Sequence, residues 1–198
     1  MSNFEIELSL YTPREAEKIT SIKMVRQRDL RRHGYLPKQE GVAAFTIIEL
    51  AQMMVLSSMM QQGIGPAKSA SIAKISAIGI VKLALSTSSA WDGMEHAHWT
   101  FPGEQLPDEK AQWLSRVFSS GMVNDDENLW RITPGRFLIV FANGQELWTN
   151  SVDDEFDDAG ADIAGPAMVL DLVAMAKALL KKADLPLARV VLSEEGDE

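Results

Sequence analysis

Residues 11–37 read Tyr11-Thr12-Pro13-Arg14-Glu15-Ala16-Glu17-Lys18-Ile19-Thr20-Ser21-Ile22-Lys23-Met24-Val25-Arg26-Gln27-Arg28-Asp29-Leu30-Arg31-Arg32-His33-Gly34-Tyr35-Leu36-Pro37. Thr12, Pro13 and Glu15 together announce a helix: a capping hydroxyl, a proline at the first helical position and a glutamate to close a capping box. Thr20 and Ser21 favour a turn, so this first helix is short. A second helix is predicted from about Lys23 to His33, with Gly34 placed to end it. Leu36, before Pro37, leaves in extended form because that position avoids the helical region. Residues 37–45 then read as a small hairpin or wing around Glu40 and Gly41. Two short helices joined by a brief turn form a helix-turn-helix unit.

At roughly 100° per residue the faces of the second helix separate. Gln27 and Leu30 lie on one side, and Val25, Arg28, Asp29 and Arg32 lie opposite, flanked by Arg26 and Arg31. Guanidinium forks match phosphate geometry, so this arginine-rich element suits a nucleic-acid backbone. The plain alternative is a solvated helix face.

The order of these signals, from Tyr11 through Arg28-Asp29-Leu30-Arg31-Arg32-His33-Gly34-Tyr35-Leu36-Pro37, resembles the opening of a MerR-type winged helix-turn-helix domain. The resemblance covers residues 11–65 and continues loosely through Gly63-Ile64-Gly65 into a helix at the usual dimerisation position. It implies a homodimer that bends or twists a promoter, with the second helix in the major groove. It also implies that Arg28 and the wing contact the DNA backbone. Five positions depart from the family pattern. Ser21 replaces the turn glycine, Lys23 the capping serine, Gln27 a buried leucine, Asp29 an aromatic residue, and Ala43 the wing arginine.

Working outward, Thr46 and Glu49 form a second capping box, which opens a methionine-rich helix ending at Gly63. Pro66 begins another helix to about Ser86, with Ile72, Ile75, Ile78, Val81 and Leu85 on one stripe. Small residues along it allow close approach, either to its own domain or to a second subunit. Beyond Trp91 the pattern becomes mixed. Strands are expected at 96–101, 129–133, 136–141, 146–149 and 187–192, with Asn143-Gly144 as a hairpin turn. Helices are expected at 107–120 and from Pro166 to Lys182. The fold class is α+β. The divisions expected are 1–65 as the DNA-binding unit, 66–90 as a linker or dimerisation helix, and 91–198 as an acidic α+β domain.

The chain has 198 residues and a net charge of −9, but the acid is unevenly placed. Residues 1–66 hold eight basic and seven acidic side chains, against eight and twenty-one in residues 92–198. The near-neutral N-terminal part with its basic cluster is therefore the half suited to nucleic acid. There is no cysteine, which excludes disulfides and thiolate chemistry and fits a reducing cytoplasm. Glu5 and Glu7 and the lack of a basic start argue against a signal peptide. The apolar stretches at 72–85 and 168–180 are short and interrupted by charge, so no membrane span is expected.

Other motifs favour ordinary roles. Gly63-Ile64-Gly65-Pro66-Ala67-Lys68-Ser69 has the wrong spacing for a phosphate loop and reads as helix capping. His96 and His98 share a strand face but lack a third ligand by spacing. The acidic run at 153–158 lacks the spacing of a calcium loop and reads as a solvated patch for a basic partner. The five tryptophans either fill the C-terminal core or line an effector pocket, and core filling is preferred. No catalytic motif appears, and no cofactor or metal is expected.

The expected function is sequence-specific binding of double-stranded DNA by a homodimeric transcriptional regulator. Arg28 and Arg32, with Arg26 and Arg31 beside them, hold phosphates, and Lys23 and Lys38 add backbone contacts. Val25 and Asp29 face base edges, Asp29 as an acceptor for a cytosine amine. The alternative is a non-catalytic adaptor that uses the same scaffold for protein contact and its acidic half for a basic partner.

Overall fold

The computed structural model describes residues 4–39, 41–93, 135–153 and 165–192 of the chain. It is mixed α+β, with five helices and two small sheets among the described residues. The helices are α1 (Pro13–Thr20), α2 (Met24–Arg32), α3 (Ile47–Gln61), α4 (Pro66–Leu85) and α5 (Leu172–Lys182). The strands are β1 (Phe4–Leu8), β2 (Trp91–Asp92), β3 (Phe137–Phe141), β4 (Glu146–Thr149), β5 (Ala167–Asp171) and β6 (Ala188–Leu192).

Local chemistry accounts for the helix ends. Thr12 and Glu15 close a capping box on α1, and Thr46 and Glu49 close one on α3. After α2, Gly34 has φ of +75°, its amide reaches Arg31 and the Tyr35 amide reaches Leu30. After α3, Gly63 repeats the device, and the Ile64 amide reaches the Met59 carbonyl. Both are paired bonds closing a helix on a left-handed glycine. The segment 63–69, read as helix capping, closes α3 at Gly63 and opens α4 with Gly65 at the N-cap and Pro66 at the first helical position. Ser69 Oγ donates to the Gly65 carbonyl at 2.7 Å.

α3 forms the centre. Leu50, Ala51, Met53, Val55, Leu56 and Met59 are fully enclosed, and the helix packs on α1, α4 and α5. The stripe on α4 is used within the chain: Ile72, Ile78, Val81 and Leu85 are buried, and α4 packs on α3 and α5. The same hydrophobic core runs from Tyr11 to Val190.

One sheet joins the two ends of the described chain. β6 lies between β1, antiparallel to it in a register from Phe4↔Leu192 to Leu8↔Ala188, and β2, which is parallel. The second sheet has the order β4–β3–β5 and is antiparallel throughout. Its β3–β4 hairpin turns at Asn143-Gly144, as the dipeptide predicts, with Gly144 at φ of +88°. Trp148 anchors the hairpin to α4 by donating its indole N–H to Ser76 Oγ at 3.1 Å. Trp91 likewise donates to the Leu85 carbonyl at 2.9 Å. Both tryptophans act as packing anchors.

Two expectations need correction, and one strand is unforeseen. The helix expected from Pro166 begins only at Leu172, because residues 167–171 pair with β3 as β5. Asp171 makes the switch from strand to helix. Its Oδ1 accepts from the Val173 and Ala174 amides at 2.9 and 3.1 Å. Arg136 beside it holds the Asp171 carboxyl below its ordinary range, mainly through their hydrogen bond. Next, residues 37–45 form no hairpin among their described members. Phe45 instead bridges back to Tyr11 as an isolated antiparallel pair. Finally, β1 has no counterpart in the sequence expectations. The expected elements at 96–101, 107–120 and 129–133, and most of the acidic run at 153–158, lie outside the described residues. So do His96 and His98. No described helix is long and apolar enough to cross a membrane.

Candidate nucleic-acid interface

The α1–α2 unit is assembled by polar groups as much as by apolar ones. Ser21 adopts the left-handed conformation, φ 62° and ψ 12°, and turns the chain out of α1. Glu17 of α1 accepts from the Met24 amide at 3.2 Å, satisfying a free N–H at the start of α2. Gln27 is 1% exposed, and its amide nitrogen donates to the carbonyls of Pro13 and Ile22 at 3.0 and 2.8 Å. Gln27 thus ties α2 to the start of α1 and to the turn, a task that a leucine at this position would not perform. Its Oε1 is buried without a hydrogen-bond partner.

The rear of the unit is fixed to the C-terminal part of the chain. Lys182 Nζ donates to the Ile19 carbonyl at 3.0 Å, and Lys18 pairs with Asp184 at 2.6 Å. Tyr11 is 1% exposed and its hydroxyl reaches the Leu185 carbonyl at 3.4 Å. Burial, with Glu15 adding to it, pushes the Tyr11 phenol up to about 12.

This docking leaves one side of α2 open. Lys23 occupies the N-cap position without a side-chain capping bond and is exposed, as are Met24, Val25, Arg26, Arg28 and Arg32. Val25 is 70% exposed and Met24 43%, so the first turn presents an apolar step between cations. Arg26 lies on the flank and reaches Met60 Sδ of α3 at 3.6 Å. Asp29 pairs with Arg32 one turn on, at 2.9 Å, so the carboxylate is held by its own helix.

Arg31 stands apart from the other arginines. Its Nη2 donates to Glu49 Oε1 at 2.8 Å and to the Ala44 carbonyl at 2.6 Å. Nη1 donates to Gln39 Oε1, which also accepts from the Ala44 amide at 3.0 Å. Its guanidinium carbon lies 4.2 Å from the centroid of the Phe45 ring. The Arg31 and Glu49 side chains are 15% and 10% exposed. The sequence expectation for Arg31 as a phosphate contact is therefore corrected: this side chain ties Gln39, Ala44 and Phe45 to α2 and α3. Lys38, on the same segment, is exposed. Ala43, on the same segment, supplies no cation.

Sequence reading missed this Arg31 cluster. The signal that was present is helical phase, because Arg31 sits on the Gln27 side of α2, toward the buried face. Among the described residues, no three histidine or acidic side chains gather as a metal site. A cleft of about 230 Å³ lies between residues 7–10 and 185–189, with Leu10, Leu185 and Arg189 on its walls. It is smaller than the usual ligand pocket of about 300–1,000 Å³.

Comparison of the chain with protein families, with curated proteins and with solved structures finds no match.

Proposed function

We propose that this chain is a cytoplasmic, sequence-specific DNA-binding transcriptional regulator, with α1 and α2 acting as a MerR-like winged helix-turn-helix. The observation that carries this reading is the division of α2. Gln27, Leu30 and Arg31 hold it to the rest of the molecule, while Val25, Arg28 and Arg32 share the open side and Lys23 is exposed at the helix start. A helix so mounted has its N-terminal turn free to enter a major groove, with cations disposed toward phosphates. Lys38 adds a backbone contact from the segment that Arg31 fastens. The protein acts as a homodimer, since such units read paired half-sites through two-fold symmetry. Because the α4 stripe is buried within the chain, the dimer contact uses another surface.

The test is selection of randomised duplex DNA by the purified protein. Enrichment of an inverted repeat, lost in Arg28→Ala with Arg32→Ala, is the expected result. Recovery of unenriched sequence by both proteins overturns the reading.

A second reading is favoured by the Asp29–Arg32 pair and by exposed Met24 and Val25. Internal neutralisation of one arginine beside an apolar step also suits a protein partner. In that case the chain is a non-catalytic adaptor, and its acidic half engages a basic protein. Competition separates the two: duplex oligomers displace a protein partner only if both use α2.

A further inference from the structure

We infer that the base-reading group of α2 is Val25, and that its target is the methyl group of thymine rather than the amine of cytosine. The inference rests on the DNA-binding reading and names the chemistry that the helix recognises.

Asp29 is the polar candidate for base contact on this side of α2. A carboxylate reads cytosine only if its oxygens are free to accept from the exocyclic amine. Asp29 Oδ1 is engaged by Arg32 Nη2 at 2.9 Å and the Asp29 side chain is 35% exposed, so a cytosine amine has to compete with the neighbouring guanidinium for this carboxylate. The Arg32 side chain is 72% exposed, about twice as open as its partner, so the guanidinium is the more accessible member of the pair. Asp29 therefore moderates a phosphate-binding arginine.

Val25 has the opposite character. It lies in the first turn of α2, the part of a recognition helix that contacts base edges. It is 70% exposed, it is β-branched and so has little rotamer freedom to lose, and it offers no hydrogen bond. The apolar feature of the major groove is the C5 methyl of thymine. Met24 beside it, 43% exposed, enlarges the apolar step. Lys23, Arg28 and Arg32 are exposed near the step and outnumber Asp29, one turn from Val25, and the net positive charge points to a polyanionic occupant rather than an apolar protein surface.

The experiment uses the full-length protein and the duplex that it selects, with each thymine replaced in turn by deoxyuridine, which lacks only the methyl. Wild type is expected to bind about fourfold more weakly at one position per half-site, the factor for losing one methyl-sized apolar contact. Val25→Ala is expected to bind the two duplexes equally, and since Val25 is exposed the substitution leaves folding intact. Asp29→Asn is expected to keep the same base preference and to bind more tightly, because Arg32 is released. Equal binding of thymine and deoxyuridine duplexes by wild type would overturn the inference while leaving the DNA reading in place. A cytosine preference lost in Asp29→Asn would overturn it in the same way. If wild type selects no duplex at all, both the inference and the reading beneath it fail.

Discussion

Arg31 and Arg32 are neighbours in the chain and lie on opposite flanks of α2. Arg31 is mostly enclosed, with a carboxylate, a carbonyl and a side-chain amide oxygen around its guanidinium and a phenyl ring over it. Arg32 is largely exposed and meets only Asp29 among the ion pairs of the described residues. The difference is one of helical phase, 100° or so of rotation. A run of arginines thus does not define one surface. The enclosed flank makes the unit, and the open flank is left to act.

This comparison predicts unequal consequences, the largest on the enclosed side. Arg31→Ala leaves the buried Glu49 carboxylate with the Thr46 amide but no cation, and frees Gln39 and the Ala44 carbonyl from the arginine. It should cost about 3 kcal/mol in denaturant unfolding, in line with breaking a buried pair. Replacing both partners, Arg31→Met with Glu49→Leu, should restore much of that loss. If Arg31→Ala unfolds like wild type, the division of α2 into two flanks is wrong.

The docking of the unit has a pH signature of nearly the same size. The Tyr11 phenol is raised to about 12 in the folded chain, from an ordinary value of 10. The unfolded chain therefore loses this proton first as pH rises. The contribution is complete below pH 10 and is lost between about 10 and 12, on the order of 2 kcal/mol. Tyr11→Phe should flatten that part of the stability–pH curve while removing the bond to Leu185.

Ser21 offers a smaller effect of opposite sign. A non-glycine residue at φ 62° is crowded by its own Cβ, and Ser21→Gly relieves this. The added freedom of the unfolded chain offsets part of the gain, leaving about 0.5 kcal/mol of stabilisation by thermal or chemical unfolding. Destabilisation would mean that the turn depends on the serine side chain.

Smallest of all is the effect of the open flank on stability. Arg28→Ala with Arg32→Ala should change unfolding by no more than about 0.5 kcal/mol, because exposed pairs contribute little. A larger loss would show that these arginines help to hold the fold.

How much of this was legible depended on how local each signal was. The capping boxes at Thr12 and Thr46, and the stop glycines at 34 and 63, act within one helical turn and are readable from four or five residues. Residues 4–8 alternate Phe4, Glu5, Ile6, Glu7 and Leu8, a strand pattern, but the partner strand lies at 188–192. Nothing near either segment announces the pairing. β5 was hidden because its apolar residues run straight into those of α5. Asp171, an N-cap residue inside the apolar run, was the available sign. At the candidate site, the side of α2 that faces outward was readable from helical phase. The capture of Arg31 by Glu49, Gln39 and Ala44 was not, because it depends on where α3 and residues 37–45 are packed.

The most direct test of the central claim is the salt dependence of binding to a selected duplex by wild type and by Arg28→Ala with Arg32→Ala. Each phosphate contact contributes about 0.9 to the slope of log affinity against log salt. The account predicts that the double variant, as stable as wild type, binds more weakly with a slope shallower by about 2. Equal affinity and equal slope in the two proteins would contradict it.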